Sequence, residues 1–320
     1  MARLGVQLPV SMSVPERADL ARWAEQHGFD DVWTAEIGDP DAFVVLAAAA
    51  CHTQHVRLGT MIVPLGVRTA VNLAAAASSV CQLAPGRFGL GLGVSTPAVI
   101  DGWHGADFAR PLTRTRETVA LLRTVFAGDP TDFDGQTLRS HGFRLNQLPE
   151  PPPPISLAAL NPKMLRLAGA IADGVWLNFA PLEAIPRILA EIDEGARSAG
   201  RARPEILMSI ITCVTADVRA VAARYRSWFK FYLRSASYQQ ALSWYGYEQE
   251  VEHARAALAA GDRDSLAAAV SPRLVEGLTA FGSAADCNDV VDAYAKSGVD
   301  TIVVIPYGAS WMETLDGFVR

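Results

Sequence analysis

The chain has little that would hold a metal, a membrane or a nucleic acid. Its four cysteines (Cys51, Cys81, Cys213 and Cys287) are scattered, with no CxxC pair. That excludes a disulfide scaffold and reads as reduced, mostly buried thiols. The six histidines show no ligand spacing, and His52 and His55 stand alone, so no metal centre is expected. No apolar run reaches membrane-spanning length without a charge or a turn. Lys and Arg are not concentrated anywhere, and the net charge of −6 argues against a general nucleic-acid binder. Pro9, Pro15 and Glu16 interrupt any basic-then-apolar signal pattern, which leads to the expectation of a cytoplasmic protein acting on a small molecule.

What is present is an ordinary globular balance: 320 residues, 50% hydrophobic and 19% charged. Such a chain can bury a large core, as one α/β barrel or two smaller domains. Short apolar strands alternate with amphipathic helices. Strands are predicted over residues 3–8, 31–34, 57–63, 88–92, 155–159, 174–177, 205–214 and 301–305. Helices are predicted over 14–27, 41–51, 70–83, 113–126 and 182–199, with one after Pro162 and a short terminal one from Ser310. A small hairpin is predicted over 133–139, and the run EPPPP at 150–154 reads as a stiff polyproline lead-in to the fifth strand. The count of eight strands favours a closed (β/α)8 TIM barrel over an open doubly wound sheet. No internal repeat or linker divides it, so a single domain over 1–320 is expected.

One insertion interrupts the pattern, at about 217–281. It holds Tyr225, Trp228, Phe229, Phe231, Tyr232, Tyr238, Trp244, Tyr245 and Tyr247. Five of the seven tyrosines lie there, so the segment is either a packed subdomain or a wall over an apolar pocket.

The stretch ISLAALNPKMLRLAGAIADGVWLN (155–178) carries the clearest chemical signal. It reads as strand, tight turn, helix, strand. Pro162 suits the first turn of a helix and Asn161 its N-cap. Free N–H groups there, with Lys163 beside them, would receive a phosphate or other anion. The competing reading is an ordinary βα turn with a good cap.

In a barrel the chemistry sits at the C-terminal ends of the strands. Those ends are Gln7, Glu36, Met61 to Pro64, Gly93 to Thr96, Ala159 to Lys163, Asn178 and Pro306-Tyr307. The rim has one carboxylate, no carboxylate cluster and no lysine inside a strand for a Schiff base. An organic cofactor that brings its own reactivity fits it best.

Several stretches together resemble the luciferase-like monooxygenase superfamily, particularly its branch that uses the deazaflavin coenzyme F420. They are GFDDVWTAE (28–36), RLGTMIVPLGVRTAVNLAAAASSVCQLAPGRFGLGLG (57–93), DGWHG with RPLTRTRET (101–118) and AALNPKMLRLAGAIADGV (158–175). The resemblance runs to about Val214 and weakens through the insertion. It implies coenzyme F420 in the barrel mouth, with FMN as the alternative. The cofactor's phosphate would lie at Leu160, Asn161, Pro162, Lys163 and Met164. Its ring would rest near Val94 and Ser95 and on a bulge in strand three, often built on a non-proline cis peptide, at Met61-Ile62. The residues alone read as a plain buried strand over 60–63.

Two departures bear on the reaction. Relatives that oxidise alcohols or sugar phosphates carry an Asp-His pair at the end of strand two, where this chain has Glu36-Ile37. The sugar-phosphate enzymes carry a Glu after strand four, where this chain has Thr96. Sugar-phosphate oxidation is therefore not expected. The remaining catalytic candidates are Gln7, Glu36 and His104. Glu36 is either an acid or a carboxylate satisfied by its neighbours, and His104 either serves the substrate or is structural. Ile37, Trp103 and Tyr307 are candidates for the substrate wall. Arg68 contacts either the cofactor tail or a helix end. The expected activity is hydride transfer between the deazaflavin and a small organic substrate, leaning to reduction of an activated C=C or C=N bond. The alternatives are an FMN-dependent monooxygenase and a non-catalytic cofactor-binding protein. The helices over 41–51 and 70–83 are apolar on more than one face, which suits either a partner subunit or burial under the insertion, and the resemblance implies a homodimer.

Overall fold

A computed structural model of the chain describes residues 2–38, 40–308 and 311–319. Eight parallel strands form the centre: β1 Arg3–Gln7, β2 Asp31–Thr34, β3 Arg57–Thr60, β4 Phe88–Gly93, β5 Ile155–Ala158, β6 Gly174–Asn178, β7 Glu205–Val214 and β8 Thr301–Pro306. They pair in chain order, and β8 pairs with β1, so the sheet closes into a (β/α)8 TIM barrel with no free edge.

Among the described residues, the long helices that cover the barrel between β1 and β7 are α1 Val14–Gln26, α2 Ala42–His52, α3 Ala70–Leu83, α4 Pro111–Phe126, α5 Pro162–Ile171 and α6 Ile185–Ser198, with a short turn of helix at Pro97–Ile100. The predicted pattern differs in detail. The lead-in at 150–154 contains a cis Glu150-Pro151 bond, so it is not one polyproline helix. Ser310, where the terminal helix was expected to begin, lies outside the described residues; the helix runs Trp311–Asp316.

The largest difference lies between β7 and β8. Five helices fill the insertion: Val218–Phe229, Ala236–Tyr245, Glu248–Ala260, Arg263–Ala268 and Pro272–Leu278. A further strand, Thr279–Gly282, then pairs with the outer end of β7 at Ile211 to Val214. The helix Ala284–Lys296 follows, opened by a capping box of Ser283 and Asp286, and leads into β8. The sequence pattern had placed neither this strand nor this helix, because the aromatic density upstream obscured their periodicity.

The barrel interior is filled in layers. Trp33 of β2 stands edge-on to Trp176 of β6, with ring centroids 4.8 Å apart and planes at 84°. Leu207 and Val303 complete this layer. Neighbouring strands make room with glycine. A Cβ on Gly59 would lie 2.1 Å from Trp33, and one on Gly91 would lie 1.9 Å from the Thr60 carbonyl.

Below the tryptophans, ion pairs close the N-terminal end. Arg57 donates to fully buried Asp31 at 2.7 Å and to Glu205 at 2.8 Å. The Thr301 hydroxyl donates to Glu205 at 2.6 Å, and Arg3 adds a second guanidinium on Asp31. Burial alone would push the Glu205 carboxyl up, but Arg57 and Thr301 outweigh it and hold the group below its ordinary range. A depressed carboxyl stabilises the fold above its unfolded pKa, and that contribution disappears as pH falls through the folded value. Urea midpoints should therefore hold steady from neutral pH down to about pH 4.5 and fall below it, and fall less in Glu205→Gln. Equal slopes in the two proteins would remove Glu205 from the account.

Candidate functional site

The mouth begins where β3 breaks. Gly59 pairs with Gly89, and the ladder resumes at Val63 opposite Leu92, so β3 carries one residue more than β4 across the gap. That extra residue makes a bulge. The Thr60 hydroxyl spans it, donating to the Gly91 carbonyl and accepting from the Gly91 N–H, both at 2.8 Å. Met61 and Ile62 occupy the bulge, joined by a cis peptide bond, so 60–63 is not a plain strand. They pack on the Trp33–Trp176 layer with Ala158. Ile62 also fills the space above Gly93, where a Cβ would lie 2.9 Å from it. Val94 and Ser95 follow β4, and Ser95 adopts a left-handed φ of 58° that turns the chain away from the barrel.

The turn after β5 is built differently from the expectation. Asn161 holds the N-cap position of α5 but does not cap it with its side chain. Its Nδ2 instead donates to the Ser237 carbonyl at 3.1 Å, and its Oδ1 is buried without a partner. The Tyr245 hydroxyl donates to the Leu160 carbonyl at 3.0 Å. The insertion thus clamps this turn from outside. Pro162 has no N–H to lose, Lys163 is exposed, and the side of Met164 is buried. The Met164 N–H is taken up by the Asn161 carbonyl at 2.9 Å, so the Lys163 N–H is the first-turn donor left without a side-chain cap, beside its own ammonium and an orphaned acceptor. A ligand carrying a phosphate and hydroxyl groups fits that set.

A cleft of about 370 Å³ opens on the β2–β3 side, lined by Glu36, Gly38, Asp41, Pro64, Val67, Arg68, Asn72 and His104. Arg68 is taken up within it. Its guanidinium donates to both oxygens of Glu36 (3.0 and 3.1 Å), holds Asp41 and lies over the Phe43 ring. Asp41 in turn caps α2 through Phe43 and Val44. Burial alone would lower the Arg68 pKa, but the two carboxylates reverse that and raise it. Arg68 therefore serves a carboxylate pair and a helix end. Glu36, only 9% exposed, has both oxygens engaged. Asp41 was missed in the sequence, although an Asp before an Ala-rich helix is itself an N-cap signal.

The other candidates are spread around the rim. Gln7, at the end of β1, is 9% exposed, and among the described residues its side chain makes no hydrogen bond. Trp103 is 59% exposed on the loop after β4. His104 is exposed on the same loop and faces the cleft. Ile37 is also exposed. On the far side Tyr307 stacks on Phe281 at 5.9 Å. Beside it Phe179, in a left-handed conformation, sits among Trp228, Phe229, Tyr232 and Tyr238. Burial pushes the Tyr232 hydroxyl up to about 12, so this wall stays uncharged at neutral pH. Most of the insertion's aromatics are packed, with Trp228 and Phe231 partly open to solvent. Among the described residues no cluster of His, Cys, Asp and Glu could hold a metal, and no helix is long and apolar enough to cross a membrane.

Residues 2–301 match the family model of the luciferase-like monooxygenases. This chain belongs to that family. It is 31% identical, over 99% of both chains, to a Mycobacterium tuberculosis protein named as a coenzyme F420-dependent oxidoreductase. It is 29% identical to 5,10-methylenetetrahydromethanopterin reductase of Methanolobus tindarius, over 93% of this chain and 92% of the relative. The coenzyme F420-dependent tetrahydromethanopterin reductase of Methanopyrus kandleri shares the fold, with a TM-score of 0.84 at 21% identity over 100% of this chain and 97% of the other.

The Thr60 bridge makes the bulge testable. Thr60→Val should lower stability by about 1–3 kcal/mol in urea unfolding, because Gly91 loses partners for both backbone groups. Thr60→Ser should retain most of it. Equal stability of all three would mean that the bulge is held by packing alone.

Proposed function

We propose that this member of the family is a coenzyme F420-dependent oxidoreductase. It would transfer hydride between the deazaflavin and a small organic substrate, in the direction of reducing an activated C=C or C=N bond. The observation that carries the cofactor assignment is the uncapped first turn of α5, held open by the insertion and flanked by Lys163. The names of relatives that match the whole length of the chain support the same cofactor. When bound, the deazaflavin supplies the hydride chemistry; the protein supplies position and surroundings.

On this reading Leu160 to Met164 receive the phosphate. Met61, Ile62, Val94 and Ser95 support the ring, and the flat apolar bulge keeps water from beneath it. Gln7, Ile37, Trp103, His104 and Tyr307 face the substrate. Glu36 acts as an anion that fixes Arg68 and the β2 loop, since its oxygens are already paired. The direction of reduction follows from the rim: Ile37 occupies the place of the alcohol-oxidising histidine, and Thr96 that of the loop glutamate. The Thr96 hydroxyl is buried without a partner and cannot replace an acid.

A fluorescence titration of the apo-protein should show tight binding of F420 and weak binding of FMN; the reverse would move the reaction to oxygenation. Changing Asn161 and Lys163 together to Asp and Glu should weaken F420 binding at least about tenfold, by repelling its phosphate. Unchanged affinity would move the phosphate elsewhere. His104→Ala should lower turnover several-fold while leaving cofactor affinity and melting temperature in place; a parallel loss of stability would assign His104 a structural part.

A further inference from the structure

Above the tryptophan layer the mouth has a floor that the family resemblance does not explain. Leu207 and Trp176 point into the barrel, where they pack together. Side chains alternate along a strand, so two residues on, Ser209 and Asn178 face the same interior at the level of the mouth. They are register partners on β7 and β6. Ser209 is buried, and its hydroxyl donates to Asn178 Oδ1 at 3.0 Å, with the Leu177 carbonyl at 3.4 Å. The amide is therefore held with its oxygen occupied. Its Nδ2, on a half-buried side chain, has no acceptor among the described residues.

We infer that Asn178 is a hydrogen-bond donor to substrate, held by Ser209 as a positioning residue, and that the substrate class is an uncharged α,β-unsaturated carbonyl compound. This rests on the deazaflavin reading above and narrows it. When hydride reaches the β carbon, the C=C π electrons move toward the carbonyl, and negative charge develops on oxygen. A donor already oriented in a partly dry site stabilises that charge without rearrangement. The α carbon then takes a proton from water. The C=C bond is reduced, and the electrons come from the reduced deazaflavin, which is left oxidised. The charge pattern separates this substrate from an iminium ion. A cation would need a free carboxylate, yet Glu36 is spent on Arg68, and Asp31 and Glu205 lie below the tryptophans on Arg57. The part of the floor formed by Met61, Ile62 and Ala158 is apolar or small and suits a carbon skeleton.

The test separates this inference from the one beneath it. F420 affinity is measured first, in the wild type and in Asn178→Leu, Ser209→Ala and Ser209→Thr. Failure of the wild type to bind F420 would overturn both readings. With oxidised F420 bound, calorimetry then compares 4-nitrophenol, whose anion mimics an enolate, with 4-nitroanisole, which cannot ionise. The titrations are run above and below the ionisation of the phenol. The phenolate should bind the wild type more tightly than the anisole and lose about tenfold in Asn178→Leu. Ser209→Ala should lose several-fold and Ser209→Thr should restore it, while the anisole binds all four alike. In 2-cyclohexenone reduction, Asn178→Leu should lower kcat with little change in KM. Equal phenolate affinity in all four proteins, or parallel losses for phenolate and anisole, would overturn the inference with the F420 assignment intact.

Discussion

The contact between Trp33 and the glycines beside it sets the rest of the molecule. An indole inside an eight-stranded barrel leaves no room for a Cβ on Gly59, and the strands close around it only because that residue has none. Trp176 meets it edge-on and fills the remaining width. With the interior occupied at that height, β3 cannot carry its next side chains inward on the same ladder. It bulges, and Met61 and Ile62 rise to form the shelf of the mouth. Core packing and site geometry are thus one arrangement, joined through the Thr60 hydroxyl.

The two ends of the barrel divide the electrostatics between them. The closed end concentrates opposite charges that satisfy one another, with Arg57 between Asp31 and Glu205. At the open end Glu36 and Asp41 are both engaged by Arg68, so neither rim carboxylate is free. Free charges at the mouth would suit acid–base chemistry or an ionic substrate. A mouth whose carboxylates are spent and whose Asn178 amide is held by Ser209 suits a reaction in which electrons move as hydride and orientation lowers the barrier.

The insertion serves two ends of the same site. Its outer helices hold the turn after β5 through Tyr245 and Ser237, which keeps the α5 first turn open. Its aromatic side packs on Phe179 and Tyr307 at the ends of β6 and β8. Of the two roles weighed from composition, packing is the one its contacts display, through Tyr225, Phe229 and Tyr245 in the core.

The sequence by itself determined the barrel and its family, because strand and helix periods are local and the strand count limits closure. α3 and β7 fall where their apolar patterns begin and end. Local chemistry also located the turn at Asn161-Pro162, whereas the place of the bulge came only from the family resemblance. Only the tertiary structure decided what those residues touch. Asn161 was legible as a cap, yet its amide is drawn to Ser237, 76 positions away in the chain. Glu36 was legible as the rim's one carboxylate, but not its loss to Arg68, since ion pairing depends on which loops meet. Ser209 gave no signal of its own. Its part emerges only when β6 and β7 pair in register and set its hydroxyl against Asn178. Periodicity is written along the chain, whereas a site is made across it.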